Sequence, residues 1–264
     1  MKEMYFIAGL PRSGSTMLAN IFKQNPSIHG EAVSSMSVIF NSILMNWDNI
    51  EANKEYSNET AKLDVLYSVI EGYYKSCSKP IVIDKDRQWI AKIPQLEAVL
   101  NKKVKIIVCV RNPAEILTSF ERIRKENPLV TTLTDASLGD GSTIASRAMY
   151  FAGPGGPLGI SHALLKDALT MGYLDRLKFV DYNRFCNTPK SQMKRIYDFL
   201  EIENFEHNFY FIKQDEIYDD KSTKLPNLHK IRPSLEKTTY NPVQYLGLEL
   251  YQQYNSEIFW DTLI

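Results

Sequence analysis

No stretch of this sequence approaches the roughly 18 consecutive apolar residues that mark a membrane-spanning helix. An excess of either charge is also missing. Lys and Arg number 31, Asp and Glu number 31, and no polybasic tail occurs. Bulk attraction to nucleic acid or to an anionic membrane is therefore not indicated. Cysteine is scarce: Cys77, Cys109 and Cys186 stand far apart, with no CxxC pair and no Cys/His cluster. Neither a zinc site nor a disulfide framework is indicated. Cys109 falls inside an apolar run and reads as a buried free thiol. No signal peptide precedes the first apolar run, so a soluble cytoplasmic protein is the expectation. His29, His162, His207 and His229 stand isolated, with no obvious acid partner.

The 264 residues suffice for one large α/β domain with a substantial core, and no domain boundary or repeat interrupts residues 1–264. The most informative stretch is Met4 to Phe22. Tyr5-Phe6-Ile7-Ala8 reads as a buried parallel strand. Gly9 to Thr16 then turns, and Met17, Leu18, Ile21 and Phe22 continue at helical spacing. A glycine-bounded loop between strand and helix aims backbone N–H groups and the positive helix end at one point, where an anion belongs. Gly9 and Gly14 keep the Gly-x4-Gly spacing of the Walker A loop, but Ser15 holds the lysine position and the loop cation is Arg12. That substitution argues against ordinary nucleoside-triphosphate chemistry.

Downstream, residues 24–31 read as a polar loop and Val33 to Trp47 as a helix. Residues 48–58 read as loop, and Asn58 caps a helix carrying Leu63, Leu66, Val69, Ile70 and Tyr73. Pro80 to Asp84 is a second strand, Ile93 to Leu100 a short helix, and Val104 to Val110 a third, near-continuously apolar strand. Asn112-Pro113 caps the helix that follows. Residues 127–160, with Gly153-Pro154-Gly155-Gly156-Pro157, read as an irregular loop before a helix from Ser161 to Met171. Leu177 to Tyr182 is a fourth strand, Thr188-Pro189 starts a capped helix, and the chain closes on a helix from Pro242 to about Trp260. Alternating strands and helices predict a three-layer α/β fold, a P-loop-type parallel sheet with helices on both faces.

Ligands of such sheets bind at the carboxyl ends of the strands. Those ends carry the anion loop, then Asp84-Lys85-Asp86, then Arg111, then Tyr182. Arg12, Lys85 and Arg111 are thereby expected along one rim. Arg111 stands where a magnesium-dependent phosphoryl enzyme usually places an acid, so it reads as a second anion site and no metal site is expected. Ser119, eight residues on, is close enough to share that anion.

The segments PRSGST and VRNPAEILTSF resemble the two cofactor-binding segments of sulfotransferases that use 3′-phosphoadenosine 5′-phosphosulfate (PAPS). The resemblance runs, more loosely, from residue 4 to about residue 200. It implies a P-loop-type fold in which Arg12, Ser13, Gly14, Ser15 and Thr16 hold the 5′-phosphosulfate. Arg111 and Ser119 would hold the 3′-phosphate, and Tyr182 would lie against the adenine. The PRSG form and Asn25-Pro26-x3-Gly30-Glu31 are similar to the tyrosylprotein and carbohydrate branches, more than to the cytosolic phenol enzymes. By that resemblance Glu31 is the catalytic base, with His29 as the reserve, and Lys85 and Arg12 steady the leaving-group and sulfuryl oxygens. The expected reaction is in-line, metal-independent transfer from PAPS, leaving PAP, to a hydroxyl or amine of a small-molecule, carbohydrate or peptide acceptor. A P-loop small-molecule kinase and a non-catalytic nucleotide-binding protein stay open as alternatives. A magnesium requirement separates out the first, and loss of activity in Glu31→Ala argues against the second. The basic stretch 221–237, with Lys221, Lys224, His229, Lys230 and Arg232, matches the position of a late loop that closes over the cofactor.

Overall fold

The computed structural model describes residues 2–56, 58–139, 142–214, 220, 224–225, 227–237, 240–256 and 258–264. Lys221 lies outside the described residues. In chain order the elements are β1 (Glu3–Gly9), α1 (Ser15–Phe22), β2 (Ile28–Glu31), α2 (Met36–Trp47), α3 (Glu51–Glu55) and α4 (Glu59–Tyr73). Then come β3 (Ile81–Lys85), α5 (Ile93–Leu100), β4 (Ile106–Val110), α6 (Pro113–Glu126), α7 (Leu133–Leu138), α8 (Ile144–Ala152) and α9 (Pro157–Thr170). The chain finishes with β5 (Leu177–Asp181), α10 (Tyr182–Asn187), α11 (Pro189–Leu200), α12 (Pro242–Leu246) and α13 (Leu248–Asn255).

The strands form one parallel sheet in the order β2-β3-β1-β4-β5. Successive side chains of a strand point to opposite faces, and two cores result. Tyr5 and Ile7 of β1 pack with Leu18 and Phe22 of α1 and Ile196 of α11. Met4, Phe6 and Ala8 face the other way, onto Phe40, Leu66, Leu96 and Leu117 of α2, α4, α5 and α6. Helices thus cover both faces, as the alternation of elements predicts. The connections leave β1 toward β2 and leave β4 toward β5, on opposite sides, so the ends of β1 and β4 form the topological switch point.

Four segments differ from the sequence expectations, each for a local reason. Residues 28–31 form a strand where a polar loop is expected, because a four-residue edge strand with His, Gly and Glu carries no apolar alternation. Residues 51–55 form a single helical turn or so inside the expected 48–58 loop. Residues 127–160 hold two helices and the start of a third. Thr132 and Asp135 form one capping box, Thr143 and Ser146 another, and Pro157 opens α9 four residues before the expected start. The closing helix is broken at Gly247, whose φ of 79° lies in the left-handed region. No helix among the described residues is long and apolar enough to cross a membrane.

Candidate active site

At the end of β1 the chain passes very close to β4. A Cβ on Gly9, where φ is 121°, would sit 2.1 Å from the carbonyl oxygen of Cys109. The Leu10 N–H then donates to that same oxygen at 2.8 Å. Only glycine fits this approach. The turn continues through Arg12 (φ 58°) and Gly14 (φ 88°), both left-handed. For a non-glycine residue such as Arg12 that conformation costs about 1–2 kcal/mol. Ser13 is buried and spends its hydroxyl inside the loop, donating to Leu10 O at 2.6 Å. Gly14 precedes α1 without any side-chain cap, so the first N–H groups of the helix are left for another acceptor. Ser15 and Thr16, the first helical residues, line a cavity of about 620 Å³.

Arg111 follows β4 directly. Its Nε donates to Glu115 at 2.8 Å, and Glu115 also accepts from Asn183 Nδ2 at 3.0 Å. Its NH1 donates to the carbonyl of Arg12 at 3.3 Å. The guanidinium carbon lies 4.3 Å from the centre of the Tyr182 ring, a cation–π distance. One face of Tyr182 is therefore covered by Arg111. Asn112 caps α6 through Ala114 N at 2.9 Å, with Pro113 at the first helical position. That cap aims Glu115, Thr118, Ser119 and Arg122, spaced by a helical turn, into the cavity. Ser119 Oγ accepts from Arg12 Nε at 3.1 Å, and the Arg12 guanidinium also donates to the carbonyl of Leu228. Burial lowers the Arg12 pKa to about 10, with Arg111 and Arg122 adding to the effect.

Lys85 ends β3 and stands 3.4 Å from Thr16 Oγ1. Burial pushes its pKa down to about 8, and the neighbouring Arg87 pushes in the same direction. The preceding Asp84 is fully buried on the opposite face, where Tyr74 OH and Trp89 Nε1 donate to its carboxylate. It anchors the strand end and does not enter the cavity. Burial raises its pKa.

Arg12, Gly14, Ser15, Thr16, Lys85, Arg111, Ser119 and Tyr182 all line the one cavity, whereas Ser13 and Glu31 do not. Glu31 ends edge strand β2, paired in register with Asp84, and its carboxylate lies 2.9 Å from His29 Nε2. The opening expectation that the histidines lack acid partners is thus overturned twice. His29 meets Glu31, and His229 Nδ1 meets Asp220. The first pair is visible in a strand only once residues 28–31 are known to be one. The second joins residues nine apart in an aperiodic stretch, where no sequence signal marks it. Lys230 and Arg232 also line the cavity.

An apolar wall comes from α6, from α9 and from the segments misread as loop. Phe120 and Phe151 stack at 4.2 Å with an interplanar angle of 3°, and Leu133, Tyr150, Ile160 and Leu164 extend that wall. The cavity thus combines cationic groups of the switch point with apolar side chains of α6, α7, α8 and α9, a combination suited to a charged donor and an organic acceptor.

A family profile described as "Sulfotransferase domain" matches residues 2–242. Among solved structures the fold is similar to the sulfotransferase domain from the curacin biosynthetic pathway (TM-score 0.54, 17% identity, covering 95% of this chain and 98% of that one). It is also similar to mouse sulfotransferase SULT7A1 complexed with PAP (TM-score 0.55, 14% identity, covering 99% and 85%). A third is a sulfotransferase from Alicyclobacillus acidocaldarius (TM-score 0.50, 11% identity, covering 98% and 93%). A search of curated protein sequences finds no match. With a profile match spanning nearly the whole chain, and a cation-lined P-loop variant at the switch point of its sheet, the chain belongs to the sulfotransferase family.

Proposed function

We propose that the protein transfers a sulfuryl group from PAPS to a hydroxyl or amine of an organic acceptor. The observation that carries this reading is the bridge from Arg12 to Ser119, with Arg111 beside it and Lys85 across α1 from it. The donor set suits a nucleotide with two separate anionic groups. The uncapped N-terminus of α1 with Ser15, Thr16, Arg12 and Lys85 is the half suited to the phosphosulfate. Arg111 and Ser119 are the half suited to the 3′-phosphate, and an arginine fork matches such an oxyanion. Gly14 leaves open the space that a Cβ would fill against Tyr182, at 3.0 Å from its ring. The aromatic ring of Tyr182 offers a platform for the base, shared with Arg111.

In this reading the chain's own groups work as follows. Arg12 and the loop N–H groups hold the sulfuryl oxygens. Lys85 meets the charge that gathers on the leaving phosphate oxygen as the sulfur–oxygen bond breaks. The apolar wall orients the acceptor and excludes water. Selectivity for PAPS over ATP comes from Arg111 and Ser119, because ATP lacks the 3′-phosphate. Calorimetry with PAP, AMP and ATP tests the assignment. PAP is expected to bind at least about tenfold more tightly than ATP, and ATP preferred over PAP would end it. Labelled sulfate transfer from PAPS, with and without a chelator, then tests the chemistry.

A further inference from the structure

We propose that the acceptor is an amphipathic hydroxy acid, an organic carboxylate with its hydroxyl on an apolar body, and that Arg87 receives the carboxylate. The inference rests on the sulfuryl-transfer reading above and names the acceptor class that reading leaves open. Arg87 lines the cavity and is exposed. The other arginines of the cavity wall are engaged. Arg111 donates to Glu115 at 2.8 Å, Arg122 donates to Glu126 at 2.7 Å, and Arg12 bridges Ser119 and Leu228. Arg232 stands 3.9 Å from Glu236. Among the described residues, the Arg87 guanidinium alone of these has neither a hydrogen bond nor an ion pair. The adjacent Asp86 carboxylate accepts from the Gln88 N–H at 2.8 Å and so caps the short turn Arg87–Lys92. A guanidinium without an acceptor in a cavity is matched by a carboxylate, which its planar fork holds through two parallel hydrogen bonds.

The fold puts this cation on the acceptor side of the rim. The groups assigned to the nucleotide's 3′-phosphate and base follow β4 and β5, on one side of β1. Arg87 follows β3, and Val33 and Ser34, which also line the cavity, follow β2, on the other side. The backbone under Arg87 is fixed. The Asp86 N–H donates to the carbonyl of Ile7 at 3.0 Å, and Trp89 is fully buried against Phe6 and Phe40, with ring centroids 5.0 and 5.9 Å away. The same turn packs against α9, the helix that gives Ile160 and Leu164 to the apolar wall.

Asp86 is extended, with φ −148° and ψ 142°, so Lys85 and Arg87 project to the same side of the chain. A carboxylate on Arg87 thus sets the apolar body of the acceptor beside α9 and its hydroxyl toward Lys85. Arg87 also disfavours the charge on Lys85, and an anion beside the pair relieves that repulsion. The carboxylate takes no part in the transfer; it fixes how the acceptor lies.

The test uses the full chain and two probe acceptors matched in shape, 6-hydroxy-2-naphthoate and 2-naphthol. Calorimetry with PAP comes first. If the wild type does not bind PAP, the donor reading fails and this inference falls with it. Given PAP binding, the hydroxynaphthoate is expected to bind the PAP complex at least about tenfold more tightly than 2-naphthol. Arg87→Met should abolish that preference, with the affinities for PAP and for PAPS within about threefold of wild type. Arg87→Gln repeats the measurement should Arg87→Met not bind PAP. A wild type that binds the acid no more tightly than the neutral probe, or a preference that survives the loss of Arg87, overturns the inference and leaves the donor reading standing. So does a loss of about tenfold or more for PAPS with PAP unchanged, which would place Arg87 on the sulfuryl oxygens of the donor.

Discussion

Arg12 Nε donates to Ser119 Oγ at 3.1 Å, across 107 positions of sequence. The bond joins the loop after β1 to the helix after β4. Two segments that read separately as two anion sites are therefore one continuous wall, held by a guanidinium that also grips Leu228. Arg12 reaches both partners from a left-handed backbone, so the strain of that conformation is spent on aiming one side chain.

Arg12→Lys keeps a charge but loses the planar fork that serves two acceptors at once. A fall of about 10²-fold in kcat/KM for PAPS is expected, with melting temperature little changed. Steady-state kinetics read this directly. A loss under about threefold would show that the bridge to Ser119 and Leu228 is incidental.

Arg111→Met should separate the two halves of the cationic end. PAP affinity is expected to drop by about 10- to 100-fold, since a charge-assisted contact to the 3′-phosphate would be lost. AMP, which lacks the 3′-phosphate, should bind within about threefold of wild type. Equal losses for both nucleotides in calorimetry would mean that Arg111 acts through the Arg12 carbonyl instead.

Lys85 makes the site pH-sensitive in a direction that can be worked out. Its folded pKa, about 8, lies below the ordinary 10.5. Between those values the unfolded chain binds more protons than the folded one, so this group makes stability rise with pH across that window; below about pH 8 its cost is fully present. Anion binding runs the other way, because it needs the ammonium. PAP affinity should weaken as pH rises through about 8, by up to about tenfold between pH 7 and pH 9, and Lys85→Met should flatten that dependence. A flat wild-type profile would remove Lys85 from the site.

Gly9→Ala tests the packing of β1 on β4. The new methyl would meet the Cys109 carbonyl at 2.1 Å from a backbone with φ 121°. A loss of about 3 kcal/mol or more is expected in urea unfolding, with the m-value unchanged. Stability within about 1 kcal/mol of wild type would show that the two strand ends can separate without cost.

Much of the fold is legible because it depends on short-range rules. The apolar runs at Tyr5 to Ala8 and Ile106 to Val110 have no other stable place than the centre of a parallel sheet. The Asn112-Pro113 cap and the Asn58 cap announce their helices by residue type alone. The misread parts are those in which neighbours in space outweigh neighbours in sequence. His29-Gly30-Glu31 is a strand because β3 offers it a ladder, and not because of its own composition. The glycines of residues 153–159 suggest a loop, yet a Cβ on Gly156 would sit 2.0 Å from the carbonyl oxygen of Tyr150 in α8, and one on Gly159 2.0 Å from that of Gly153 just past its end.

Strand periodicity, glycine spacing and the replacement of the Walker lysine are properties of consecutive residues, and they alone dictate a parallel α/β sheet with a phosphate-type loop and a basic rim. Which groups share that rim is a different kind of fact. It depends on the order β2-β3-β1-β4-β5, which brings Arg12 to Ser119, and on the packing that sets residues of α7 to α9 and His229 on the same cavity. Hydrogen bonds and ion pairs act over a few ångströms, and only the tertiary structure decides which residues come that near.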